Sequence, residues 1–324
     1  MLFTEFSGDD SRVVAIQSDS TTRSFDATSG KQLALSERDH GQVAAVTADG
    51  TIVVNSQSTS DTLSASLTII ESGEEITALP VRPMKISRFA FDSVGSRLAL
   101  ISATNVLEVF DAHDGSSLAT FTGVSDLKAP IFSPDGRTVA AFGDKSGVIV
   151  ILSIDTGKLV ATITSDQFFE DMVFSPDGRS VATFSLLDEN LVSIWSASTG
   201  KIVTVLSGTT TPLHVIEFSP AGDKIATGNS DGSTNIFDVA SSNIVTTVTG
   251  HSLYVDDVSF SPDGTRLVTA SADGTAKLWS AQNGALLATL DGHGSGVDWA
   301  VFNHSGDRVL TATHDGIGII WAAA

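Results

Sequence analysis

No cysteine occurs among the 324 residues. Disulfides, thiolate nucleophiles and Cys-ligated zinc or iron–sulfur sites are thereby excluded, while compartment stays open because exported proteins can also lack cysteine. Basic residues are scarce: 18 Lys and Arg stand against 38 Asp and Glu, a formal net charge of −20. A surface of that sign repels a phosphate backbone, so no nucleic-acid partner is expected. No apolar run reaches the roughly 18 residues of a membrane-span candidate, and the opening MLFTEFSGDD lacks the basic and apolar regions of a secretory signal. The expectation is a soluble, cytoplasmic chain without membrane contact. With 41% hydrophobic and only 17% charged residues, it has the means to bury a substantial core.

One phrase returns along the chain. FSPDG stands at 132–136, 174–178 and 260–264 and FSPAG at 218–222, with looser copies at Phe302 (FNHSG), Phe91 (FDSVG), Val46 (VTADG) and Phe6 (FSGDD). The steps between these first residues are 40, 45, 41, 42, 44, 42 and 42, a period in the range of a four-stranded propeller blade. Unrelated turns do not account for the recurrence, because the flanking apolar residues keep register as well. The copies divide a single domain into eight units, about 1–40, 41–80, 81–122, 123–164, 165–207, 208–249, 250–291 and 292–324.

The unit from Val255 to Leu290 shows the grammar: VDDVSF, SPDG, TRLVTA, SADG, TAKLWSA, QNG, ALLATL. Four short apolar runs separated by turns rich in Gly, Asp, Asn and Ser suit four antiparallel strands with tight hairpins. Proline at the second position of SPDG presets the turn dihedral, and Asp and Gly complete it. The first strands are expected nearest a central channel. Trp195, Phe237, Trp279 and Trp321 are expected to wedge between neighbouring sheets, where both faces are covered.

With GH at 250–251 and 292–293, the SPDG turns and these terminal rings, the chain resembles the WD40 repeat family, in a bacterial-like form with regular repeats, over essentially its whole length. It departs from the strict Trp-Asp signature: Trp195 and Trp279 precede serines, Trp321 precedes Ala322, and the Asp-bearing copies use Phe25, Phe110 and Phe237. The resemblance implies an all-β WD40-type β-propeller, a closed ring of blades serving as a rigid platform without a cofactor. It also implies a hydrogen-bond set. His251, Thr269, Asp273 and Trp279 stand at offsets 0, 18, 22 and 28, repeated by His293, Thr311, Asp315 and Trp321. In the family pattern the Asp accepts from the His ring, the His contacts the Thr hydroxyl, and that hydroxyl contacts the indole nitrogen. A Thr–His–Asp array would also suit a nucleophile, but identical repetition favours a structural role. Thr209 and Val124 replace the histidine in two middle units.

Eight first-strand marks predict eight blades, the last three-stranded because only alanines follow Trp321. A seven-bladed ring with a displaced unit, and a chain cut from a longer one, are the alternatives. A monomer is expected, with a strand-exchanged oligomer as the other possibility. The polar stretch Asn55 to Ser66 is predicted to be a protruding loop.

Four residues before each aligned repeat mark stand Leu2, Gln42, Ser87, Lys128, Glu170, His214, Asp256 and Asp298. Glu170 with Asp171, Asp256 with Asp257, and Asp298 predict an acidic sector at the channel entrance, with Phe168, Phe169, Tyr254 and Trp299 as apolar anchors. Such a surface suits a protein or a basic peptide, although scattered carboxylates also serve solubility. Calcium would suit paired carboxylates, but no run has EF-hand spacing and no histidine cluster forms, so no metal is expected. No GxGxxG, Walker A or HExxH run occurs. The reading is a non-catalytic interaction scaffold. The alternatives are a sensor or regulatory domain of a longer signalling protein and a hydrolase-like propeller enzyme.

Overall fold

The structure, a computed structural model, describes residues 3–16, 21–36, 41–47, 51–58, 63–69, 75–79, 88–102, 105–123, 127–143, 147–166, 168–185 and 190–323. Leu2, Ser87 and Val124 lie outside these residues. Among the described residues every regular element is a strand. The strands form sheets in which each pairs antiparallel with the next in sequence, so that the first and fourth are the two edges. Sheets built from residues 3–36, 41–79, 88–121, 128–164, 171–206, 213–248 and 255–291 have four strands; the eighth, 297–322, has three. Among the described residues, complete four-stranded blades therefore number seven. In the eighth sheet the third strand is Gly318–Ala322.

The stretch predicted as a loop in the second unit is instead largely strand. Ile52–Ser58 and Leu63–Ile69 pair along their length, Asn55 opposite Ser66 and Ser58 opposite Leu63. Polar composition misled here because serine and threonine side chains tolerate strand backbone when the ladder satisfies N–H and C=O groups.

The recurring turn explains the spacing of its residues. In the seventh sheet Ser261 Oγ donates to Asp263 Oδ1 at 2.6 Å and accepts the Arg266 N–H at 2.9 Å, while Asp263 Oδ1 also accepts the Thr265 N–H at 3.0 Å. Gly264 completes the turn at φ 69°, a conformation that glycine adopts without strain. The Ser261, Thr265 and backbone donors hold the Asp263 carboxyl down at about 2. Ser133 with Asp135 and Ser175 with Asp177 repeat the arrangement.

The chain packs as two compact units, residues 2–165 with 197–200, and 166–196 with 201–324. In the first, Leu98, Leu100 and Phe110 of the third sheet pack with Val54, Leu67 and Leu79 of the second. The opposite face of the third sheet, through Ala99, Ile101 and Val109, packs on the fourth. In the second unit, Phe237 joins a core with Phe184 and Ile194 of the fifth sheet, and Trp279 one with Ala226, Ile236 and Val248 of the sixth. Sheets covered on both faces read as continuous apolar runs, and a fully buried Phe such as Phe237 contributes roughly 2–3 kcal/mol.

One glycine in the second unit is fixed by close approach. Gly232 turns between the second and third strands of the sixth sheet at φ 82°, and a Cβ there would stand 2.6 Å from the His251 carbonyl oxygen and 2.7 Å from that of Leu253. Both neighbours are backbone and cannot rotate away. Gly232→Ala is expected to cost about 2–4 kcal/mol, measured as a fall in thermal midpoint; a change under ~0.5 kcal/mol would contradict this packing.

Candidate interaction site

Four first strands, Asp171–Phe174, Leu213–Phe218, Val255–Phe260 and Val297–Phe302, lie side by side in the second unit. Each is entered by the segment that follows the previous sheet. His251 and His293 sit in these segments, and the acidic and aromatic residues lie where the strands begin.

In the seventh sheet the chain of donors is complete. Trp279 Nε1–H donates to Thr269 Oγ1 at 2.9 Å; His251 Nε2 lies 2.7 Å from the same hydroxyl; His251 Nδ1 lies 2.9 Å from Asp273 Oδ2. Burial lowers the imidazole's proton affinity, with Asp273 only partly offsetting it. A neutral ring with its proton on Nδ1, donating to Asp273, leaves Nε2 to accept the Thr269 O–H. Burial pushes Asp273 up, but the Thr275 hydroxyl, the Ser252 N–H and His251 outweigh it and bring the carboxyl to about 2. Thr269 is fully buried. A hydroxyl so enclosed and so used has no access to a substrate, which removes the nucleophile reading of this triad.

The eighth sheet repeats only part of the set. Trp321 Nε1–H donates to Thr311 Oγ1 at 2.7 Å and His293 Nε2 lies 2.6 Å from that hydroxyl. His293 Nδ1, however, is buried without a hydrogen-bond partner. Asp315 does not reach it, correcting the expectation that both aspartates accept from their histidines. Asp315 takes hydroxyl protons from Thr313 and Ser295 instead. The reason lies one turn away: Thr275 anchors Asp273 through its N–H and hydroxyl, whereas Ile317 holds the equivalent place in the eighth sheet and has no hydroxyl to offer. The fifth sheet keeps the Trp195–Thr183 bond at 2.9 Å, and Thr209, in the histidine's place, donates to the Asn190 carbonyl.

The predicted acidic sector divides by role. Asp257 ties two sheets together: its Oδ1 accepts the Val258 N–H at 3.0 Å and its Oδ2 the Ala300 N–H at 3.0 Å. Burial raises its carboxyl to about 7 against the pull of these two donors, with Asp256 adding repulsion. Asp256 is raised to about 6 by burial and then by Asp298, offset by the Ala272 N–H. Asp298 Oδ2 is buried without a hydrogen-bond partner among the described residues. Glu170 is exposed, and Asp171 Oδ1 accepts the Met172 N–H. The sequence reading missed Glu217, whose Oε2 accepts the Phe260 N–H of the next sheet at 3.2 Å. Burial and then Asp257 push Glu217 well above the usual carboxylate range. Its signal was available, a charged residue in VIEF where the corresponding strands read DMVF and DVSF.

The aromatic anchors also separate. Phe169 packs edge-on to Trp195, with centroids 6.0 Å apart, and Trp299 is partly buried. Phe168 is 55% exposed, Leu253 50% and Tyr254 41%. Tyr254 stacks on His214 at 5.0 Å and 14° across two neighbouring first strands, and His214 Nε2 lies 2.9 Å from Ser230 Oγ. No group of three or more His, Asp or Glu side chains among the described residues is placed to hold a metal ion.

The family model of the WD domain, G-beta repeat, matches residues 200–238, 242–280 and 284–322. The fold superposes on the crystal structure of the C-terminal WD40 domain of Sif2 with a TM-score of 0.77 at 15% identity, covering 99% of this chain and 95% of that one. Residues 200–322 carry WD40 repeats. A second match, the crystal structure of the computationally designed Ika8 protein, gives a TM-score of 0.81 at 22% identity over 98% of this chain and 95% of that one. No curated protein sequence matches significantly. The fold is thus an all-β WD40 propeller with four-stranded antiparallel blades. Each matched WD40 repeat begins on a fourth strand and ends on the third strand of the next blade.

Proposed function

We propose that this chain is a non-catalytic interaction scaffold that docks a basic protein segment where the first strands of the fifth to eighth blades begin. WD40 propellers generally serve as protein-interaction scaffolds. The observation that carries the reading is the exposed Tyr254–His214 stack with Leu253 beside it, next to the coupled carboxylates Asp256 and Asp298. An exposed apolar anchor rimmed by charge of one sign has the form of a hot spot with electrostatic steering. Phe168 adds an exposed apolar side chain two residues before Glu170.

A random peptide library displayed on phage and panned on the protein is expected to return segments combining Lys or Arg with an aromatic or aliphatic residue. Tyr254→Ser combined with Phe168→Ser should weaken the recovered peptides at least about tenfold. Asp256→Asn with Asp298→Asn should remove most of the salt dependence. Because Asp256 titrates at about 6, affinity should rise between pH 5 and pH 8. Peptides held equally by all three proteins would place docking elsewhere, and turnover of ester or peptide substrates would favour the hydrolase reading.

A further inference from the structure

The segments entering the seventh and eighth sheets have the same length, from His251 to Val255 and from His293 to Val297, yet they lie differently. In the first, His251 and Ser252 both serve Asp273, whose Oδ2 lies 2.9 Å from His251 Nδ1 and accepts the Ser252 N–H at 3.0 Å. At the matching places in the second stand His293 and Gly294. His293 is 5% exposed, and its Nδ1 is buried with no hydrogen-bond partner among the described residues. A ring nitrogen so enclosed has given up its bond to water without a replacement. The carboxylate that would supply one is near: Asp315 acts on the His293 ring through its charge, while it accepts from Ser295 Oγ at 3.1 Å and from the Thr313 hydroxyl.

The backbone gives one chain access to both arrangements. Gly294 stands at φ 74°, and a Cβ on it would meet nothing within 4 Å, whereas Ser252, at the same place one sheet earlier, is not left-handed. The turn at Gly294 brings the Ser295 hydroxyl to Asp315; the corresponding residue of the seventh sheet, Leu253, has no hydroxyl. Glycine occupies either sign of φ about equally well. The neighbouring sheet leaves room for the change. A Cβ at Gly232 of the sixth sheet would stand 2.6 Å from the His251 carbonyl oxygen and 2.7 Å from that of Leu253, but a Cβ at Gly274 of the seventh would stand 3.4 Å from that of Ser295. The segment from His293 to Gly296 is therefore seated less tightly than its counterpart from His251 to Tyr254.

We propose that Asp315 and Gly294 form a two-position latch. In the position seen, Asp315 holds Ser295. In the other, Gly294 turns over and Asp315 accepts the His293 Nδ1–H and the Gly294 N–H, as Asp273 does in the seventh sheet, and Ser295 is released. Hydrogen bonds of similar worth are exchanged, so the two positions lie close enough in free energy for both to be populated. Ser295 stands two residues before Val297–Phe302, and the latch thereby governs the entry to the strand that carries Asp298, whether or not a partner docks there.

Nuclear magnetic resonance of the full chain with isotope-labelled histidine, at neutral pH and without a partner, tests the latch. His251 is expected to show one Nδ1–H signal protected from exchange with water. His293, its signals identified by their loss in His293→Asn, is expected to show exchange between two states. Gly294→Ser installs the residue of the seventh sheet, which is strained at a φ of this sign, and should raise the population of the second position at least about fivefold. A protected Nδ1–H at His293, like that of His251, would report it. Ser295→Ala should shift the balance the same way. Adding Asp315→Ala to Gly294→Ser should remove the protected signal, which mere stiffening of the segment would not do. A wild type without exchange at His293, a His293 left unprotected by both Gly294→Ser and Ser295→Ala, or a protected signal that survives Asp315→Ala would each overturn the proposal.

Discussion

Thr269→Val is expected to lower the unfolding free energy by about 2–4 kcal/mol. Valine matches threonine in shape, so the core loses no volume; what it loses is one oxygen on which two buried donors and acceptors converge. Trp279 Nε1–H and His251 Nε2 both end on Thr269 Oγ1, and Trp279 and Thr269 have almost no exposure to water. Removing the shared partner strands both, and each unsatisfied buried polar group costs about 1–3 kcal/mol. The matching change in the eighth sheet, Thr311→Val, is expected to cost less. Trp321 there is partly exposed and can turn its N–H to water, and His293 already lacks a partner at Nδ1. Thermal or urea unfolding of the two variants should rank them in that order. Equal costs would mean that the completeness of the seventh-sheet chain, including Asp273, adds nothing beyond the Thr–Trp bond.

Glu217→Gln is expected to stabilise the protein at pH 8 by about 1–3 kcal/mol and to change little at pH 4. Glu217 is a carboxylate held among first strands beside Asp257, and the Phe260 N–H compensates it in part. Its folded-state affinity for a proton is raised above the unfolded value, so between the two the native state binds the additional proton. Stability from this source is fully present below the ordinary carboxylate range, near 4.5, and is lost as the pH rises through the raised folded value. Asp257, raised to about 7, acts in the same direction across pH 4 to 7. Glutamine keeps an oxygen for the Phe260 N–H while removing the charge and its repulsion with Asp257. Unfolding measured from pH 4 to pH 8 should therefore show a shallower decline toward alkaline pH in the variant than in the wild type. Parallel curves would mean that Glu217 is solvated well enough to ionise at ordinary cost. Asp257→Asn is a poorer probe, because its two oxygens accept two N–H groups and the amide can serve only one.

The repeat was legible because its causes are local. A Ser-Pro-Asp-Gly turn closes through bonds within six residues, from Ser261 to Arg266, so its residue types and spacing recur wherever the hairpin does. The same holds for the apolar alternation of the strands, which put Phe237 and Trp279 in cores. The histidine sets spanned more chain, yet their offsets placed His251, Thr269, Asp273 and Trp279 together. Asn55 to Ser66 was misread because polar side chains say little about whether a neighbouring ladder will take up the backbone.

Acidic residues on first strands could be named from the sequence, but not sorted. Asp256 and Asp257 are adjacent in the chain, and only the packing of one first strand on the next turns Asp257 to the Ala300 N–H while Asp256 meets the field of Asp298. Glu217 became visible as a partner of Asp257 for the same reason. Asp315 shows the limit most plainly: its offset from His293 equals that of Asp273 from His251, yet Thr313, Ser295 and the loss of a hydroxyl at Ile317 draw it away. Sequence spacing was enough to establish the repeats and the turns, because those depend on residues close along the chain and on periodicity. The partners of each carboxylate depend on how separate strands come side by side. Burial and hydrogen bonding between them are settled only there.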